Sequence, residues 1–88
     1  MTQVKIYTKS DCELCEKTKV YFAERPHIQV VIVPVELQAE RDKLYDKYQR
    51  EGKERLMPQI VIIEPDGTEH PIGGYKDVIN NNIDSLFL

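Results

Sequence analysis

The chain has 88 residues, 41% of them hydrophobic and 31% charged, a composition that describes one small soluble domain with a modest core. Twelve Lys and Arg stand against fifteen Asp and Glu, a net charge of -3, and the basic residues are interspersed with acidic ones, which excludes the electrostatic footprint of a nucleic-acid binder. No apolar stretch approaches the roughly 20 residues that span a bilayer, and Met1-Thr2-Gln3-Val4-Lys5 enters a strand pattern without the basic and apolar regions of a secretory signal. A reducing cytosol is the expected compartment. No repeat, low-complexity tract or linker interrupts the sequence, so residues 1–88 read as a single domain.

The first predicted element is a strand from Val4 to about Thr8, with Val4, Ile6 and Thr8 on one face and Lys5 and Tyr7 on the other. Ser10 or Asp11 is the expected cap of a helix that continues to about Glu24, where Pro26 prevents extension; its buried stripe is Leu14, Cys15, Thr18, Tyr21 and Phe22. Ile28 to Val35 is β-branched and apolar almost throughout, the pattern of a central strand covered on both faces. A second helix is predicted over Gln38 to Glu51, with Leu44, Tyr45 and Tyr48 on its apolar side and Gly52 as a stop. Pro58 to Glu64 reads as a third strand, and the turn signal Pro65-Asp66-Gly67 joins it in a hairpin to a short fourth strand over Thr68 to Ile72. After Gly73-Gly74, the positions Val78, Ile79, Ile83, Leu86 and Phe87 return to helical spacing. The predicted order is β-α-β-α-β-β-α.

Cys12 and Cys15 are the only cysteines, and they fall between the first strand and the first helix. At i and i+3 on one helical face two thiols can close a disulfide with little backbone movement. The first, at the helix start, is exposed and has its thiolate favoured by unpaired N–H groups and the helix dipole; the second, one turn in, is more buried. Lys9 adds a positive charge, while Asp11, Glu13 and Glu16 oppose a thiolate. The expected Cys12 pKa is below the free value of roughly 8.5, though less depressed than in a strongly oxidising site. The competing chemistry is half a zinc site. A tetrahedral site needs two further ligands, and only His27 and His70 remain, without a paired spacing. Both histidines read as surface residues without partners, and no metal is expected.

Three further motifs in the right order, Val4-Lys5-Ile6-Tyr7-Thr8-Lys9, Met57-Pro58-Gln59 and Ile72-Gly73-Gly74-Tyr75 with Asp77, give the chain a resemblance to the glutaredoxins over essentially its full length. It looks like a compact bacterial or phage member of that branch of the thioredoxin-like superfamily. The resemblance implies a four-stranded mixed sheet flanked by three helices, with strand order 3-1-2-4, and a cis peptide before Pro58 that presents the Met57 backbone to an extended substrate. It implies catalysis by Cys12 and Cys15, with glutathione as reductant and no bound cofactor. The implied glutathione-binding set is Lys9, Leu14, Met57, Pro58, Gly73, Gly74, Tyr75, Lys76 and Asp77. In it, N–H groups near Tyr75 to Asp77 hold the γ-glutamyl carboxylate, Asp77 meets the ammonium group, and Lys9 meets the glycyl carboxylate. The chain departs from the family pattern in having Glu13 where proline is common, Leu14 for an aromatic, Leu56-Met57 for Thr-Val, and Lys76 for an acidic residue. A cluster-binding site resembles a small-residue motif around one cysteine more than this Glu-Leu insert.

The expected partners are glutathione and disulfide-bearing proteins, with ribonucleotide reductase as a candidate client, and the chain is expected to act as a monomer, away from membranes and nucleic acid. Two alternatives stand beside this reading. One is a redoxin reduced by thioredoxin reductase and serving ribonucleotide reductase, a group that lacks the acid after Gly73-Gly74. The other is a binding module that docks partners without turnover, against which an intact dithiol speaks.

Overall fold

The computed structural model describes residues 2–48 and 57–80. In chain order these residues form β1 (Gln3–Thr8), α1 (Glu13–Ala23), β2 (Gln29–Pro34), α2 (Gln38–Tyr48), β3 (Gln59–Ile63), β4 (Glu69–Gly73) and α3 (Tyr75–Asn80). The predicted order of elements is the observed one. The expected extension of the second helix to Glu51 and its stop at Gly52 lie outside the described residues, as do Leu56, Ile83, Leu86 and Phe87.

Alternation in β1 sorts the two layers. Val4, Ile6 and Thr8 are buried, and Val4 and Ile6 join Ile60 and Ile62 of β3, Phe22 of α1, Ile28 and Val78 of α3 in one cluster. The opposite parity, Tyr7 of β1 with Val61 and Ile63 of β3, packs against Leu44 and Tyr45 of α2, and Val35, Met57 and Cys15 join this second cluster. Both faces of the sheet are therefore covered, α1 and α3 on one side and α2 on the other. Each fully buried aliphatic side chain contributes about 1.5–3 kcal/mol.

The sheet order is β2-β1-β3-β4, with β1 parallel to β2 and antiparallel to β3, and β3 antiparallel to β4. This corrects two expectations. The order 3-1-2-4 places the second strand beside the fourth, whereas the hairpin turn leaves β4 no neighbour but β3: Gly67 N–H donates to Glu64 O at 2.9 Å, Glu64 N–H to Thr68 O at 2.9 Å, and Thr68 N–H to the Asp66 carboxylate at 2.9 Å. The run Ile28–Val35, expected at the centre, lies at the edge, with Val31 and Ile32 37% and 44% exposed. Its apolar composition reported a strand but not the number of strands beside it. The doubly covered strand is β3, in which Gln59, Ile60, Val61 and Ile62 are buried in succession.

Strand directions gather the functional segments at one end of the sheet. Tyr7 near the end of β1 pairs with Gln59 at the start of β3, Thr8 pairs with Pro34 at the end of β2, and Ile60 pairs with Gly73 at the end of β4. The loops that carry Cys12, Glu36, Pro58 and Gly74 all leave from that end.

Candidate active site

Where β1 ends, residues 9–11 turn the chain into α1. Asp11 adopts a left-handed φ of 52°, and Cys12 follows in extended geometry (φ -121°, ψ 102°) as the N-cap of α1. Its sulfur accepts the Cys15 N–H at 3.1 Å, and its carbonyl accepts the Glu16 N–H at 3.2 Å. Ser10 and Asp11, the expected caps, do not cap: Ser10 is engaged elsewhere and Asp11 makes the turn. A cap position needs an acceptor for the orphaned first-turn N–H groups. Here a sulfur fills it, and a thiolate would fill it better than a thiol because it carries the charge that the N–H dipoles favour.

Cys12 and Cys15 are joined in a disulfide, with Cα atoms 5.2 Å apart. Cys15 is fully buried in the α2-side cluster, whereas Cys12 is half-buried. The expected asymmetry between an accessible first sulfur and a sequestered second one is present. Of the three carboxylates crowding the turn, Glu13 is ion-paired with Lys17 at 3.4 Å and Glu16 with Lys19 at 3.1 Å, both on exposed helix surface. Such pairs contribute little stability, but they set a cation against two of the three charges that oppose the thiolate.

The Met57-Pro58 peptide is cis, as the resemblance implied. The Met57 carbonyl oxygen lies 3.8 Å from Cys12 Sγ, and the Met57 and Pro58 side chains are buried. In the disulfide Cys12 has no proton to donate, so this is a contact of sulfur against carbonyl. A Cβ on Gly74 would stand 3.6 Å from the Pro58 carbonyl, which puts the start of α3 directly behind the proline. Gly73 has a φ of 115°, and Asp77 Oδ2 accepts the Gly74 N–H at 2.9 Å while Gly74 O accepts the Val78 N–H at 3.2 Å. Asp77 thus reaches back to the backbone three residues earlier, one half of a capping box.

Contacts therefore link Cys12, Cys15, Met57, Pro58, Gly74, Gly73 and Asp77 into one continuous site. Tyr75 stands at its border, across from Glu13 in a shallow groove that continues past Lys17 and Val20 of α1. Lys9 and Lys76 are exposed and Leu14 is half-buried, each beside a site residue in sequence, and neither lysine has a hydrogen bond or ion pair among the described residues.

Two residues were missed or misread. Glu36, between β2 and α2, accepts from Ser10 and had no signal in its own surroundings. His70, read as partnerless, faces Glu64 across the hairpin at 3.4 Å. Among the described residues no three His, Cys, Asp or Glu side chains gather as a ligand set, and no helix is long and apolar enough to cross a membrane.

A half-buried sulfur at a helix N-cap, held against a cis-proline loop and within bridging reach of a buried partner, can, once the bridge is reduced to the dithiol, attack an incoming disulfide as a thiolate and be released by its neighbour. Glutaredoxin 1 of Francisella tularensis, solved in complex with cacodylate, is 31% identical to this chain, with a TM-score of 0.72 and a match that covers 98% of each chain. The chain belongs to the glutaredoxin family. Thioredoxin pre-protein of Schistosoma mansoni in its reduced form shares the fold at 17% identity and a TM-score of 0.60, over 99% of this chain and 79% of that one. No family model and no curated protein matches the sequence. Within the glutaredoxin family, the Cys12–Cys15 pair makes this chain a thiol–disulfide oxidoreductase.

Proposed function

We propose that this chain reduces protein–glutathione mixed disulfides and protein disulfides with glutathione as the electron donor, as a cytoplasmic monomer. The observation that carries the proposal is the placement of Cys12: its sulfur caps α1 at 3.1 Å from the Cys15 N–H and lies 3.8 Å from the Met57 carbonyl. In the first route the Cys12 thiolate attacks the glutathionyl sulfur, the client thiolate leaves, and a second glutathione thiolate displaces Cys12 to give glutathione disulfide. In the second route Cys12 attacks a protein disulfide. Cys15, deprotonated, then attacks Cys12 sulfur, the reduced client leaves, and two glutathiones reopen the Cys12–Cys15 bridge. The Gly73-Gly74-Asp77 turn supports glutathione as the small thiol, since it sets the start of α3 and a carboxylate against Pro58, next to the Met57 carbonyl that faces the reacting sulfur. Lys9, Leu14, Tyr75 and Lys76 border the same ground. The exchange calls for no metal or organic cofactor. Protein clients with accessible disulfides, ribonucleotide reductase among the candidates, are its partners.

The test is reduction of a small mixed disulfide coupled to NADPH consumption, with glutathione plus glutathione reductase in one cuvette and thioredoxin reductase in another. Turnover is expected in the first. Turnover confined to the second would replace glutathione by the reductase as electron source, and none in either would leave a binding module. Cys12→Ser is expected to drop turnover to the uncatalysed level, whereas Cys15→Ser spares the glutathione mixed disulfide and impairs reduction of protein disulfides. Alkylation of reduced Cys12 by iodoacetamide is expected to have its pH midpoint below roughly 8.5.

A further inference from the structure

The turn that presents Cys12 has almost nothing of its own to hold it. Ser10 and Asp11 are exposed, so packing does not fix them, and Asp11 sits at a φ of 52°, unfavourable for a residue that carries a Cβ. Two hydrogen bonds tie this turn to the rest of the molecule, and both end on one atom. Glu36 Oε2 accepts the Ser10 hydroxyl at 2.6 Å and the Ser10 N–H at 3.3 Å. Among the described residues no other hydrogen bond reaches Ser10 or Asp11.

Glu36 is itself well anchored. Its neighbour Val35 donates its N–H to Thr8 O at 2.7 Å, joining the end of β2 to the end of β1. Arg41 Nη1 donates to the carbonyls of Val35 (3.1 Å) and Glu36 (2.8 Å), and Arg41 Nη2 donates to Gln38 Oε1 at 2.9 Å. The β2–α2 connection is thus bolted to α2 by one guanidinium and to β1 by a backbone bond, and from that platform a carboxylate reaches the active-site turn. The Ser10 hydroxyl above all, then the Ser10 N–H and the Arg41 charge, hold the Glu36 carboxyl below its ordinary pKa, which keeps it an ionised acceptor at neutral pH.

We propose that Glu36, acting through Ser10, is a positioning residue for Cys12: it fixes the turn that sets Cys12 at the α1 N-cap and so aims the Cys15 N–H at the sulfur. The inference rests on Cys12 being the attacking thiol, but not on glutathione as reductant, and its readout needs neither glutathione nor a reductase. Its sign separates it from plain electrostatics. A carboxylate near a forming thiolate repels it, so a role through charge alone makes Cys12 more reactive when Glu36 is neutralised. A positioning role makes Cys12 less reactive when the acceptor is lost, and restores it when a neutral acceptor is put back.

The experiment is single alkylation of the reduced protein by iodoacetamide, followed by mass across pH, for wild type, Glu36→Ala, Glu36→Gln, Ser10→Ala and Ser10→Ala with Glu36→Ala. Glu36→Ala and Ser10→Ala are each expected to slow alkylation at pH 7 about threefold and to move its pH midpoint up, the low end of what one exposed hydrogen bond contributes. The double variant is expected to be no slower than Glu36→Ala alone, because Ser10→Ala removes only the hydroxyl bond, which Glu36→Ala removes together with the N–H bond. Glu36→Gln is expected to stay near the wild-type rate and midpoint. Both side chains are exposed, so the far-UV circular dichroism of every variant should match wild type. An unchanged or faster Glu36→Ala overturns the proposal, and so does an equal loss in Glu36→Gln. Failure of the wild type to turn over in the glutathione-coupled assay, with the expected pattern of alkylation rates among the variants intact, would instead count against glutathione-dependent exchange and leave the positioning role standing.

Discussion

A Cβ at Gly73 would come 2.5 Å from Asp77 Oδ2 and 2.9 Å from its Cγ, at a φ of 115°. Gly73→Ala therefore combines a backbone conformation that L-residues avoid, at about 1–2 kcal/mol, with displacement of the carboxylate that holds the Gly74 N–H. Gly74→Ala meets only ordinary contacts, at 3.6 Å and 4.0 Å, with no positive φ. Urea unfolding should show Gly73→Ala as the more damaging of the two, and equal losses would contradict the role given to Asp77. The need for a glycine here was legible in the sequence, whereas the return of Asp77 to the backbone was not, since Gly74 offers no hydroxyl to complete the familiar capping pair. Cys12 as N-cap was hidden for a related reason. Ser10 and Asp11 are better caps by propensity, and only the three-dimensional course of the turn, with Ser10 drawn to Glu36, leaves the position to a sulfur.

At the level of elements, sequence periodicity correctly gave strand or helix throughout the described residues and misplaced one strand. The β-branched run of β2 has apolar side chains on both faces, which is the signature of double covering, yet β2 has a hydrogen-bonded neighbour on one side only and Val31 and Ile32 remain partly in water. Pairing is a long-range property, and here it was set by the Asp66-Gly67 turn, which commits β4 to β3 and leaves β1 and β3 at the centre. The two environments differ in cost. Ile60→Ala in fully buried β3 is expected to destabilise by about 2–5 kcal/mol, a loss of transfer free energy plus a cavity. Ile32→Thr on the edge should cost less than about 1 kcal/mol, because much of its side chain is already hydrated. Chemical denaturation of both variants decides the matter, and comparable losses would mean that β2 is covered after all.

For the whole molecule, the site is a product of topology: residues 8–15, 57–58 and 73–77 are far apart in sequence and meet because three strands start or finish at one end of the sheet. The motifs announced each segment separately, and Glu36 escaped notice because it enters from the end of β2 with no motif around it. Two carboxylates act at opposite ends of this sheet. Glu36 holds the Cys12 turn at the functional end, and Asp66 closes the hairpin turn at the other. Both have pKa values lowered from the ordinary 4.5 and 3.8, Glu36 chiefly by the Ser10 hydroxyl and Asp66 chiefly by the Thr68 hydroxyl, each with help from a backbone N–H. A carboxyl that is more acidic in the folded than in the unfolded chain binds fewer protons when folded. Its stabilising contribution is complete above the unfolded value and disappears as the pH falls through the folded one. The urea midpoint of the oxidised protein should therefore hold from pH 7 to about 5 and decline below about 4.5. Glu36→Gln combined with Asp66→Asn keeps neutral acceptors at both turns but removes the proton linkage, so this double variant should show a shallower acid decline. An acid limb as steep as that of the wild type would mean that neither turn couples to global unfolding through its carboxylate, and that the ends of the sheet open without the rest of the fold noticing.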